Sequence, residues 1–229
     1  MHVGITDQYL KPTDLPDTVA VFPLRGVILL PRSTLPFNVF EPRYLEMVDD
    51  VLAGSRLIGI VQPAREEGEG ESPEGKEFGL RKVGCIGRIT AFAETDDNHF
   101  RITLTGIGRF EVLADQPSDT PYRLCRIGVE QFAGDLTHGE GEEEVDRERL
   151  ISVLKSYLQA NDLTADWESI NRSSNELLVN TLSVISPYGP EEKQALLEAG
   201  DLKQRAEVLV ALAEMELAAR DDGSGTSVQ

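Results

Sequence analysis

Cysteine, basic charge and long apolar runs are all scarce in this sequence, and each shortage removes a class of protein. Two cysteines, Cys85 and Cys125, cannot build the multi-bridge framework of a small secreted domain. Each sits in an apolar, strand-like run with no second Cys or His at ligand spacing, so both read as reduced core thiols and not as zinc ligands. No apolar run approaches the ~18 residues needed to span a bilayer. The first 17 residues hold no stretch of the kind a secretory signal carries, which leaves the cytoplasm as the expected compartment. The net charge is −18. Residues 1–135 carry 14 basic and 21 acidic side chains (−7), and residues 136–229 carry 8 and 19 (−11). Neither half offers the basic face that a phosphate backbone requires, so nucleic-acid and anionic-membrane binding are disfavoured. The charge reads instead as a solubility device for a chain that presents apolar surface.

Catalytic constellations are equally thin. Gly70, Gly75 and Lys76 match all but the last position of a phosphate-cradling loop, but Glu77 stands where a Ser or Thr hydroxyl is needed. Glu71 and Glu74 would repel a triphosphate, and Pro73 removes a backbone donor, so the stretch reads as a polar loop. Ser152 and Lys155 have the spacing of a Ser–Lys nucleophile motif without its partner motifs, and read as a solvated helix face. His2, His99 and His138 have no nucleophile or carboxylate placed beside them by sequence. Asp96, Asp97 and Asn98 lack calcium-loop spacing and read as a turn. The expectation is no catalytic residue, no metal and no cofactor.

What is present is a change of period along the chain. Up to about residue 135 the apolar residues come in short runs broken by Gly and Pro. Strands are expected over 18–24, 34–40, 56–63, 82–95, 99–113 and 122–132, with one helix over 41–54 opened by Pro42 and closed by Gly54. Phe100, Ile102 and Leu104 alternate with Arg101, Thr103 and Thr105, as on a half-buried strand, and Gly106 and Gly108 permit a bend. Pro23 places the first strand at an edge or a bulge. From residue 136 the spacing becomes helical. Leu150, Ile151, Leu154 and Leu158 mark one helix, and Ser173 with Glu176 forms a capping box before another. Pro190 to Gly200 bounds a third, and Asp201 with Gln204 caps the last. The expected class is α+β: a small barrel-like β domain followed by a helical bundle. The expected boundaries are an extension over 1–17, a β-rich domain over 18–135, a bundle over 136–220 and a frayed tail over 221–229.

The stretch "VAVFPLRGVILLPRSTLPFNVFEPRYLEMVDDVL" (19–52) resembles the start of the N-terminal substrate-binding domain of Lon proteases. It has a strand ending in F-P-L-R, an apolar loop closed by Pro, then L-P-F and a helix. "VGCIGRITAF" and "ITLTGIGRFEV" are similar to two further segments of that domain. The resemblance implies a six-stranded pseudobarrel of PUA-like build with a helical bundle behind it. It also implies a non-catalytic polypeptide-binding module, here free-standing, without the ATPase and Ser–Lys protease modules of a full Lon.

The candidate recognition element is the loop 25–34. Val27, Ile28, Leu29 and Leu30 are four successive apolar residues closed by Pro31, and either pack against the core or belong to an interaction patch. Phe22, Phe37, Phe40 and Tyr44 stand nearby in sequence and complete the candidate peptide-binding set. Arg25 and Arg43 pair with local acids or hold the loop, and Arg109 reads as a strand-edge residue. The expected ligand is an unfolded or apolar polypeptide segment lying where sheet meets helices, or added to an open strand edge. Two other functions compete: an adaptor that docks on a protease or chaperone, and an RNA-binding module, which the fold suggests and the charge opposes.

Overall fold

The computed structural model describes residues 8–64, 79–95, 97–161 and 163–224, with side chains through Arg220. The phosphate-loop-like positions, His2 and Asp96 lie outside the described residues. Six strands form one mixed sheet: β1 (Thr18–Pro23), β2 (Thr34–Val39), β3 (Leu57–Pro63), β4 (Leu80–Glu94), β5 (Phe100–Gln116) and β6 (Leu124–Gly128). Their order is β2-β5-β4-β3-β1-β6, and an added β5–β6 pairing closes the sheet into a pseudobarrel. Closure is possible because β5 is 17 residues long and serves β2 and β6 in turn along one edge while pairing with β4 along the other. Phe100–Thr105 pair with β2, whereas Glu111–Gln116 pair with β6. The β4–β5 ladder slips between Ile86 and Gly87, opposite Gly108 and Gly106, where bulge and glycines together turn the ribbon.

Pro23 is not at a sheet edge. β1 lies between β3, its parallel partner, and β6, but the β6 pairing stops at Ala20. The missing N–H of Pro23 therefore falls beyond the shared ladder. α1 (Pro42–Ala53) follows β2 with Pro42 in its first turn and Gly54 as its C-cap. After β6 come two 3-10 turns, then α2 (Arg147–Ala160), α3 (Trp167–Arg172), α4 (Asn175–Ile185), α5 (Pro190–Glu198) and α6 (Leu202–Ser224). α3 is short and has no apolar stripe to betray it. The capping box at Ser173 does not form. Ser174 caps α4 by accepting from the N–H of Leu177 at 3.2 Å, while the Glu176 carboxylate turns away to accept from Gly139 N–H and pair with Arg32.

The loop 24–33 lies between the pseudobarrel and the helices. Ile28, Leu29 and Leu30 are at most 1% exposed and share one apolar cluster with Ile58, Ile102 and Leu104 of the sheet and with Leu178, Val179, Leu196 and Leu197 of the helices. Burying three such side chains contributes about 2 kcal/mol each. Glycine makes the room: a Cβ on Gly106 would stand 2.0 Å from the carbonyl oxygen of Leu30, and one on Gly87 would stand 2.6 Å from Leu29. The loop's backbone is satisfied inside the fold, with Arg32 N–H donating to Gly106 O and Gly106 N–H to Ser33 O, both at 2.9 Å. Of the two readings of the loop, these contacts select packing against the core, and they correct the candidate binding set. The apolar loop is an internal plug, so Ile28, Leu29 and Leu30 have no surface to offer a ligand. The plug occupies the apolar part of the space where sheet meets helices.

A polar seam flanks the plug. Arg109 is 4% exposed, and its guanidinium grips Asp135 through Nε and a terminal nitrogen, both at 2.8 Å, while donating to the carbonyls of Leu197 and Ala199. Arg109 is thus an internal tie from β5 to the turn before α6, not a strand-edge residue. Arg205 donates to Leu196 O and Asn180 Oδ1 at 2.9 Å, and Asn180 donates to Pro31 O. Gln62 donates to Pro190 O and Gln194 Oε1 and accepts from Gly26 N–H.

Candidate functional site: a proline- and tyrosine-lined cleft

The strands end unevenly at one rim of the pseudobarrel. Pro23 terminates β1, Pro63 terminates β3 and Pro121 precedes β6. Proline brings no N–H, so the rim cannot extend its ladder there. The consequence is a cleft of about 290 Å³ floored by Phe22, Leu24, Tyr44, Leu80 and Tyr122. Phe22 stacks on Tyr44 with ring centroids 4.0 Å apart and meets Phe37 edge-on at 5.2 Å. The Tyr122 hydroxyl donates to Asp50 at 2.8 Å. Burial, with Asp50 beside it, pushes that phenol up to about 12, so it stays a donor.

Three guanidiniums stand on the same rim. Arg43 lies 4.5 Å from the Tyr44 ring centroid and pairs with Glu41 at 2.9 Å. Arg123 holds Asp115 with both carboxylate oxygens, at 2.6 and 2.8 Å. Arg25 is exposed and, among the described residues, has no ion-pair partner. Among the described residues the lining contains three arginines and one acid, Glu41, in a chain of net charge −18. Apolar floor, aromatic walls and cationic rim suit a segment of extended chain.

The sequence-derived set therefore divides. Phe22, Tyr44 and Phe37 come together as an aromatic cluster, and the first two line the cleft. Val27 is half-buried beside it in sequence, and Ile28, Leu29 and Leu30 are core. Phe40 is 61% exposed but stands apart, against His99. Sequence reasoning missed Leu80, which the β3–β4 ladder sets opposite Pro63, and Pro121, Tyr122 and Arg123, which reach the rim only because the barrel closes. Of the remaining motifs, Lys155 sits over the Trp167 ring at 5.4 Å, and His99 pairs with Asp97 at 2.8 Å. Cys85 and Cys125 are buried and form no disulfide among the described residues.

Two further concavities are of similar size. One of about 250 Å³ is an apolar groove between α2, α4 and α6, walled by Leu150, Tyr157, Leu182, Tyr188 and Leu209. The other, about 240 Å³, is polar and lies over the Arg109–Asp135 pair. β2 pairs with β5 alone among the described residues, but Pro36 at its centre removes a donor. A proline in a strand is a device that blunts an open edge.

The model of the ATP-dependent protease La (LON) substrate-binding domain matches residues 18–214. A Lon protease of Parabacteroides distasonis is 33% identical over 199 residues, covering 83% of this chain and 23% of that protein. A Lon protease of Flavobacterium johnsoniae is 27% identical over 203 residues, covering 87% and 24%. The chain thus spans about a quarter of the length of the curated relatives it matches. Among solved structures, the Lon N-terminal domain protein of Xanthomonas campestris superposes with a TM-score of 0.58 at 21% identity, over 85% of this chain and 97% of that one. The N-terminal domain of a Mycobacterium avium complex Lon protease gives 0.58 at 18%, over 86% and 98%. These structures bear on the fold, and the family match covers both the strands and the helices. The chain belongs to the family of ATP-dependent protease La (LON) substrate-binding domains.

Proposed function

We propose that this chain recognises unfolded or extended polypeptide, and that the cleft floored by Phe22, Leu24, Tyr44, Leu80 and Tyr122 is where it does so. The observation that carries the proposal is a concave rim, where β1 and β3 end in proline, at which half-buried Leu24 and Leu80 meet the edges of Phe22, Tyr44 and Tyr122, each 6–8% exposed. The segment binds by laying apolar side chains on the floor, with no covalent chemistry, and the work is done in the cytoplasm. Burying one or two aliphatic side chains there supplies about 1.5–3 kcal/mol apiece before ordering costs, which suits weak, reversible sampling of clients. Augmentation of β2 is the weaker mode because Pro36 interrupts its open edge.

Titration of the protein into a dye-labelled, reduced and alkylated unfolded protein tests the site. Saturable anisotropy change is expected, weakened about tenfold or more by Leu24→Asp or Leu80→Asp with circular dichroism unchanged. Undiminished binding in both variants would remove the cleft from the account. A second reading, docking of a partner's amphipathic helix, is favoured by the apolar groove between α2, α4 and α6, at whose lip Ile185 and Leu163 are 66% and 54% exposed. RNA binding draws no support from the cleft, where two of three arginines are already paired with carboxylates.

A further inference from the structure

The three rim arginines are not equivalent. Arg43 is held by Glu41 and the Tyr44 ring, and Arg123 is held by Asp115. Arg25 alone of the three has no ion pair among the described residues, yet the turn that carries it is fixed on both sides. Leu24 N–H donates to Val61 O at 2.9 Å, and Gly26 N–H donates to Gln62 Oε1 at 2.8 Å. Gln62 is 2% exposed and is anchored in turn to Pro190 and Gln194. Gly26 has φ +72°, a left-handed conformation that costs glycine little and that lets the chain double back at this point. A fixed backbone therefore holds the base of an exposed arginine, with no ion pair among the described residues, beside an apolar trough. A guanidinium fork matches a carboxylate, and a fixed backbone beneath it removes part of the freedom that binding would otherwise cost.

We infer that the cleft prefers client segments in which an apolar anchor is followed, within a few residues, by an Asp or Glu side chain, and that Arg25 is the residue that reads it. This rests on the cleft being the polypeptide site. The carboxylate is assigned to a side chain and not to a chain end for a physical reason. Terminal carboxylates are captured by clustered backbone N–H donors. At this rim Pro23, Pro63 and Pro121 bring no N–H, and those of Leu24 and Gly26 are already spent on Val61 and Gln62. The turn therefore offers no run of adjacent free N–H groups, and the arginine fork is the donor set suited to an anion. The preference also runs against the molecule's overall charge of −18, so it acts at contact range and does not steer from afar.

The test uses the full chain and acetylated, amidated, dye-labelled twelve-residue peptides with a common Leu-rich anchor, differing in one following position: Asp, Asn or Lys. A fourth peptide carries Asn and a free C-terminal carboxylate. Wild type is expected to bind the Asp peptide about three- to fivefold tighter than the Asn peptide, with the Lys peptide weakest and the gap shrinking in salt. Arg25→Gln is expected to erase the Asp–Asn difference, and Arg25→Glu to favour Lys. Arg25 is exposed, so neither variant threatens the fold, which circular dichroism checks. Equal binding of Asp and Asn peptides, with both lost in Leu24→Asp, would overturn the carboxylate preference and leave the cleft as the site. A gain from the free chain end alone would overturn the assignment to a side chain. Binding that ignores Leu24→Asp would overturn the site itself.

Discussion

Gly106 is the residue on which the plugged interior turns. It lies in β5 where the ladder slips, and the Leu30 carbonyl occupies the space a side chain would need. A methyl group 2.0 Å from a backbone oxygen cannot be relieved by a rotamer change, so either the loop or the strand must move. Gly106→Ala is expected to lower the urea midpoint by an amount equivalent to about 3 kcal/mol. Gly79→Ala is the control, because a Cβ there meets its nearest neighbour at an ordinary 3.5 Å, and its midpoint should stay within about 0.5 kcal/mol of wild type. The same position explains what was hidden in the sequence. Four apolar residues closed by a proline look alike whether they face solvent or plug a core. What decides is the absence of side chains at Gly87 and Gly106, more than 50 residues away, together with Leu178, Val179, Leu196 and Leu197 arriving from the helices. Phe22 and Tyr44 were legible as aromatics beside the loop, whereas Tyr122 and Arg123 join them only through barrel closure.

Elements were easier to read than their joints. Alternation located the strands, and Pro42, Pro190 and Asp201 marked true helix starts. The joints are buried polar contacts, for which sequence gives a fainter signal. Arg109 sits in an apolar strand, and Arg205 lies on the same stripe as Leu202, Ala206 and Leu209 of α6. Burial by itself would raise the Asp135 carboxyl, but hydrogen bonds from Arg109 and its charge outweigh it and hold the group below the usual carboxylate range. A depressed carboxyl contributes stability that is complete above its unfolded pKa and lost as pH falls through the folded value. Asp135→Asn is therefore expected to cost about 3 kcal/mol or more near neutrality, by leaving Arg109 and Arg205 short of a counter-charge. It should also flatten the acid limb of the stability curve below about pH 4. Denaturant melts of both proteins across pH 2–7 check this, and parallel curves would exclude Asp135 from the acid limb. Lys193 of α5 gives the opposite test. It is 3% exposed, donates to the carbonyls of Ser183 and Val184 at the end of α4, and burial pulls it down to about 8. Between about 8 and the unfolded value of 10.5, the unfolded chain binds more protons, so this group's contribution rises with pH. The stability of wild type minus that of Lys193→Met should climb across that window, and a flat difference would contradict it.

At the scale of the molecule, the question is whether strands and helices are two bodies or one. We propose that they act as one, although the sequence divides naturally near residue 135. The main apolar cluster runs from Ile58, Ile102 and Leu104 of the sheet through the plug to Leu178, Leu196 and Leu209 of the helices. Arg109 and Gln62 bind carbonyls of the helical half from strands of the barrel. A pseudobarrel without its helices would leave Ile28, Leu29 and Leu30 under water on one side. Re-exposing them forfeits about 2 kcal/mol each, and the guanidinium of Arg109 would lose the carbonyls of Leu197 and Ala199. That loss is comparable with the whole net stability of a domain, about 5–15 kcal/mol. The full chain should therefore melt in a single transition, with calorimetric and van't Hoff enthalpies equal. A chain truncated after Leu136 should lose its near-ultraviolet circular dichroism and aggregate. If that fragment melted cooperatively on its own, the plug would belong to the barrel alone, and the helices would be an appendage that can swing relative to the cleft. The single-body outcome has a functional corollary. The turn carrying Arg25 is tied through Gln62 to Pro190 and Gln194 of α5. The helices then help to hold the cleft's rim in place, and Gln62→Ala should weaken peptide binding even though Gln62 touches no client.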